Sequence, residues 1–101
     1  VQAASKCPST KIVVSGYSQG AQLVHNALQK TTSANAARVA AVVVFGDPKK
    51  GQSFGSVASS NVLTICHTND DICKGLVSIT PDHLNYQNDA PTAAAFVAGK
   101  V

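Results

Sequence analysis

Tryptophan, methionine and glutamate are absent from the 101 residues, and charged side chains make up only 13% of them. Without glutamate, any working carboxylate has to be one of five aspartates. Charge is scattered as well as sparse: eight Lys and Arg run from Lys6 to Lys100 without a basic cluster, for a net charge of +3. That pattern excludes the electrostatic footprint of a nucleic-acid binder. Together with 45% apolar residues it also excludes a disordered acidic or basic tail. The longest purely apolar run, residues 39–45, is far too short to cross a bilayer. No charged n-region followed by an apolar stretch is visible at the N-terminus, so no signal peptide is expected within the chain. Internal repeats, low-complexity segments and N-x-S/T sequons are also missing, so glycosylation gives no clue to compartment. The length sets a single domain with one modest core. Three cysteines in so short a chain point to an oxidising compartment and leave one thiol without a mate.

Strand and helix signals alternate along the chain. Residues 11–15 form a β-branched run stopped by Gly16, the pattern of a buried strand. Residues 19–30 favour helix, with Leu23, Val24, Ala27 and Leu28 expected on one face. A polar loop is expected over 31–35. Residues 39–45, apolar on both faces, read as a central strand of a parallel sheet, ended by Gly46-Asp47-Pro48. After a polar loop over 49–60, a third strand is expected at 62–66. A long irregular stretch covers 67–89, and Pro91 opens a final helix reaching Val101. This alternation predicts an α/β fold. Because such sheets usually hold more than three strands, the chain is expected to be the C-terminal part of a larger domain.

Gly16-Tyr17-Ser18-Gln19-Gly20 is a G-x-S-x-G pentapeptide between predicted strand and helix. A nucleophilic serine has to project from a sharp strand-to-helix turn, and the two glycines are expected to let strand and helix approach closely there. The helix N-terminus then offers free N–H groups to a developing oxyanion. Such a serine needs a base, and the base an orienting acid, in the order Ser, Asp, His for this architecture. His25 lies inside the helix and reads as a surface or partly buried side chain. His67 has only Asp47 between it and Ser18, whereas His83 has several upstream acids and a loop setting. His83 is therefore the expected base. Asp82 adjoins it and reaches its ring awkwardly. Asp70 and Asp71 sit after the third strand, at the sheet edge expected to carry Ser18, and the residues alone do not choose between them. Asp47 is the runner-up and reads more simply as a turn residue beside Pro48.

Cys66 and Cys73 bracket this acid loop. A zinc site at Cys66, His67 and Cys73 is disfavoured by the wide spacing and the absence of a second cysteine pair. A bridge across the loop would contribute about 2–3 kcal/mol and would pin the acid. Cys7 is left as a free thiol or as the mate of a cysteine in a preceding segment.

The 16–22 segment, the Cys66-to-Cys73 loop with Asp70, and Asp82-His83-Leu84 together resemble the fungal cutinases, small secreted serine esterases close to the acetylxylan esterases. The similarity covers the C-terminal portion of the family's domain. It implies a three-layer α/β-hydrolase fold around a central parallel sheet, with the N-terminal strands outside this chain. It also implies Ser18 as nucleophile, Asp70 rather than Asp71 as acid, and His83 as base. The Gln19 amide becomes one oxyanion donor, and a second is expected from an N-terminal loop. Cys66 and Cys73 are implied to form a disulfide, and Cys7 to pair with a cysteine in an N-terminal segment or chain. Tyr17, Val77, Ile79 and Leu84 are expected near the acyl chain of a lipid or polyester ester. The resulting expectation is a secreted, monomeric carboxylic-ester hydrolase without cofactor, metal or nucleic-acid partner. The alternatives are an acetylxylan esterase, or a fragment that is inactive without its N-terminal half.

Overall fold

The computed structural model describes residues 6, 10–76 and 79–101. Cys7 and Val77 lie outside the described residues, and with them the expectations placed on both. Three parallel strands, β1 (Ile12–Tyr17), β2 (Val39–Phe45) and β3 (Val62–Ile65), form a sheet of order β1-β2-β3. Tyr17 pairs with Phe45 and Phe45 with Ile65, so the C-terminal ends of all three strands meet at one edge. This is the edge at which open α/β sheets build their sites. The wholly apolar β2 is central, as its two-faced hydrophobicity predicts.

The first strand departs from expectation in two ways. It does not stop at Gly16 but continues through Tyr17, and it alternates between exposed and half-buried positions instead of being buried on both faces. Val13 is 40% exposed, because among the described residues β1 has a strand neighbour on one side only. Ile12 and Val14 point to the opposite face and pack on the core of Val24, Leu28, Val42, Val44 and Phe54.

Helix α1 (Gln19–Gln29) covers that face. Its buried stripe is Ala21, Val24, His25 and Leu28, an i, i+3, i+4, i+7 set. Leu23 is consequently exposed, and so is Ala27, contrary to the sequence expectation. The expected loop over 31–35 contains a one-turn helix α2 (Ser33–Ala36), capped by the Thr32 hydroxyl, which accepts from the Asn35 amide. The irregular stretch after β3 holds three 3₁₀ turns, Asp71–Lys74, Pro81–His83 and Tyr86–Asp89. The last of these runs into helix α3 (Ala90–Ala98), which ends before Val101. Among the described residues no helix is long and apolar enough to cross a membrane.

His25 is a correction of a different kind. It is fully buried, its Nε2 bonds the equally buried Asp47 carboxylate, and its Nδ1 donates to the Ser53 carbonyl at 3.0 Å. Its ring stacks on Phe54 at 3.9 Å, so it fastens the loop after β2 onto α1. The other Asp47 oxygen accepts from the Lys49 amide at 2.8 Å, the turn role expected beside Pro48. Both Asp47 oxygens are thus occupied away from Ser18. Removing one partner of a buried pair strands the other, typically at about 3–5 kcal/mol. His25→Ala and Asp47→Ala in the complete protein should each lose stability on that scale in denaturant titrations. The double variant should lose much less than the sum of the two; additive losses would show the pair to be uncoupled.

Candidate active site

The turn from β1 to α1 is tight. A side-chain carbon at Gly16 would sit 2.6 Å from the Gly20 carbonyl and 2.7 Å from the Ala21 amide, so only glycine fits there. Gly20 is different: a Cβ there would meet nothing within 4 Å. The close approach expected of both glycines therefore rests on Gly16. Ser18 takes φ 57° and ψ −118°, and it is the one non-glycine residue with positive φ among the described residues. Such a conformation costs on the order of 1–3 kcal/mol and persists only where surroundings enforce it. Here the Ser18 amide is anchored to the Phe45 carbonyl at 2.9 Å, and its own carbonyl accepts from Ala21 and Gln22. Gln19 is the first residue of α1, and the amides of a first helical turn have no preceding intrahelical carbonyl to bond.

From this turn the Ser18 hydroxyl donates to His83 Nε2 at 2.9 Å, and His83 Nδ1 donates to Asp70 Oδ2 at 2.7 Å. His83 and Asp70 are buried, whereas Ser18 is half-buried. Each group reaches this line from a different loop. Asp70 caps the 3₁₀ turn after it, accepting the Ile72 amide on Oδ1 at 3.0 Å. Cys66 and Cys73 form a disulfide across this loop, with their Cα atoms 6.1 Å apart. Asp71 faces outward instead, 3.7 Å from Lys74. His83 closes the Pro81–His83 turn, where its carbonyl accepts the Tyr17 hydroxyl at 2.6 Å and its ring stacks on Tyr17 at 5.0 Å.

Three contributors escaped the sequence reading. Gly46, at φ +56°, passes under the histidine: a Cβ there would lie 2.8 Å from the His83 ring and 3.0 Å from Asp70 Oδ2. Its signal was the Gly-Asp-Pro end of β2. Tyr86, three residues past His83, donates its hydroxyl to Asp70 Oδ2 at 2.6 Å. His67, whose ring stacks on Tyr86 at 4.0 Å, pairs with Asp89 at 2.5 Å. No local pattern announces the last two, because their partners lie 16 and 22 residues away.

Electrostatics follow from these contacts. Burial alone would push the Asp70 carboxyl up, but hydrogen bonds from Tyr86, His83 and the Ile72 amide outweigh it and hold it below the ordinary carboxylate value. Burial, then the Asp70 carboxylate, push the Tyr86 phenol above its usual value. The bond to Asp89 raises His67. The two shifts predict opposite pH limbs of stability. The Asp70 contribution is present above the unfolded value of about 3.9 and is lost as pH falls through the lower folded value. The His67 contribution is fully present below about 6.5 and is lost as pH rises through the higher folded value. Asp89→Asn should therefore lower the melting temperature at pH 5.5 more than at pH 9. An equal decrement at both would contradict the assignment.

The apolar residues expected around the site are exposed where described: Tyr17 is 45%, Ile79 63% and Leu84 63% accessible. A cavity of about 250 Å³ is lined by Tyr17, Leu84, Tyr86 and Gln87. Among the described residues no group of three or more His, Cys, Asp or Glu could hold a metal ion.

The family model described as Cutinase matches residues 1–101. Cutinase cut1 of Trichoderma harzianum is 50% identical over 93 residues, covering 92% of this chain and 38% of that protein. A cutinase of Monilinia fructicola is 50% identical over 95 residues, covering 94% and 47%. Among solved structures, Trichoderma reesei cutinase in complex with a C11Y4 phosphonate inhibitor superposes with a TM-score of 0.93 at 44% identity. That match takes in 95% of this chain and 44% of the other. The chain thus spans less than half the length of these relatives. With the strand order, the strained serine turn and the family match in agreement, this chain belongs to the cutinase family and has its α/β-hydrolase fold.

Proposed function

We propose that the complete protein is a secreted serine esterase, and that residues 1–101 form the C-terminal part of its single catalytic domain. The reading is carried by the continuous hydrogen-bonded line Ser18 Oγ, His83 Nε2, His83 Nδ1, Asp70 Oδ2 at the turn after β1. Ser18 Oγ attacks the ester carbonyl while His83 Nε2 takes its proton. The tetrahedral oxyanion is met by the Gln19 amide at the start of α1 and by a second donor elsewhere in the domain. His83 then returns the proton to the leaving alcohol, and Ser18 holds the acyl group. Water, deprotonated by the same ring, releases the acid and restores Ser18. Asp70 fixes the imidazole tautomer and steadies the cation formed at each step.

The substrate class we propose is an aliphatic ester of cutin-polyester or acylglycerol type. Exposed Tyr17, stacked on a buried imidazole, and the exposed apolar side chains of Leu84 and Ile79 support a lipophilic acyl chain more than a sugar. The phosphonate inhibitor held by the Trichoderma reesei relative fits an enzyme of this kind. The Cys66–Cys73 disulfide supports an extracellular location. A monomer that meets its substrate at a lipid or polyester surface completes the proposal.

The test is to offer the complete protein p-nitrophenyl esters of increasing acyl length beside acetylated xylan. Turnover of butyrate and longer esters, with slow release of acetate from xylan, is the expected result. Preference for xylan would reassign the protein to acetylxylan esterases. Turnover of neither substrate would overturn the esterase reading.

A further inference from the structure

We propose that Tyr86 is a positioning residue for this reaction: it holds the Asp70 carboxylate in place, and the His67–Asp89 pair in turn holds Tyr86. The inference rests on the reading of Ser18, His83 and Asp70 as the working triad. Asp70 Oδ2 accepts two hydrogen bonds, from His83 Nδ1 at 2.7 Å and from the Tyr86 hydroxyl at 2.6 Å. Oδ1 is held by the Ile72 amide. With the Ile72 contact alone the carboxylate could swing about its Cβ–Cγ bond; the phenol removes that freedom at the oxygen that faces the histidine.

The direction of the phenol proton is fixed by its other neighbour. The His67 backbone N–H can only donate, and it does so to the Tyr86 oxygen at 2.9 Å. The hydroxyl proton is therefore directed at Asp70. His67 adds its ring from beneath, stacked on Tyr86 at 18° between planes. Both ring nitrogens face acceptors, the Asp82 carbonyl at 2.7 Å and the Asp89 carboxylate at 2.5 Å. With a proton on each nitrogen, the ring is a cation lying over the phenol face, which makes the hydroxyl a stronger donor. The segment carrying His83 is thereby fastened to the segment carrying Asp70. The same contacts surround Tyr86 with Tyr17, Phe45 and the His83 ring in edge-on packing.

Tyr86→Phe in the complete protein keeps the ring and deletes the hydroxyl. Hydrogen bonds to charged groups are worth enough to predict a fall in kcat of about ten- to a hundredfold, with KM within about twofold. An Asp70 relieved of one donor attracts the imidazolium more strongly. The acid limb of kcat/KM should therefore move to higher pH, and the low-field resonance of the His83 Nδ1 proton should move downfield. Asp89→Asn leaves the phenol in place and should move both readouts the same way by a smaller amount. A kcat loss without movement of limb or resonance means that Tyr86 merely packs, and overturns the proposal. So do unchanged readouts in both variants, or in Asp89→Asn alone should Tyr86→Phe fail to fold. Ser18→Ala separates the levels: if it retains turnover, the triad reading fails, whatever Tyr86 does.

Discussion

Ser18→Ala should abolish ester hydrolysis by the complete protein, lowering kcat on the order of 10⁶-fold while the fold persists. The size follows from the nucleophile's role: in a comparable serine triad, deleting the serine costs about as much as deleting all three groups. A substantial oxyanion-hole contribution remains but has no nucleophile to serve. The decisive readout is hydrolysis of a short p-nitrophenyl ester. Turnover within tenfold of the parent would remove Ser18 from the mechanism.

The second large effect separates neighbours. Asp70→Asn should lower kcat about 10⁴-fold, because an amide can offer its N–H to His83 Nδ1 and stabilise the wrong tautomer, leaving Nε2 protonated and unable to act as a base. Asp71→Asn should change kcat by no more than about twofold, since its carboxylate lies 3.7 Å from the exposed Lys74 in a surface pair. The same pair of substitutions discriminates a carboxylate that orients the base from one that merely makes the loop negative. Equal losses from both would favour the latter.

These neighbours also mark how far the sequence could be read. The strand, the G-x-S-x-G turn and the helix after it were legible because every determinant is local: β-branched residues, a glycine, then helix formers. The choice of Asp70 over Asp71 was not open to spacing and came only with the family resemblance. In the structure the 3₁₀ turn spends one Asp70 oxygen on Ile72, leaves the other on His83, and sets Asp71 beside Lys74. His25 was misjudged because helical periodicity counts apolar residues, and a histidine counts as polar. Its burial depends on Asp47 and Ser53, which no helical pattern contains. Leu23 is the mirror case, an apolar residue one position off the Ala21–Val24–His25–Leu28 stripe. The roles of Tyr86, Asp89 and His67, the last weighed only as a base or a zinc ligand, were hidden for the same reason as that of His25: each is defined by a partner far along the chain.

The wide spread of the three proposed catalytic positions along the chain has a consequence for how the protein can fail. Ser18 and His83 are 65 residues apart in sequence, and Asp70 reaches its place only when the strand before its loop has docked. On the proposed mechanism, an acid-expanded state that kept its helices and much of its far-ultraviolet circular dichroism would still be inactive, because the Ser18–His83 contact closes across 65 residues of chain. The proposed esterase activity would therefore gauge completed tertiary assembly, for which spectroscopic helicity is a poor substitute.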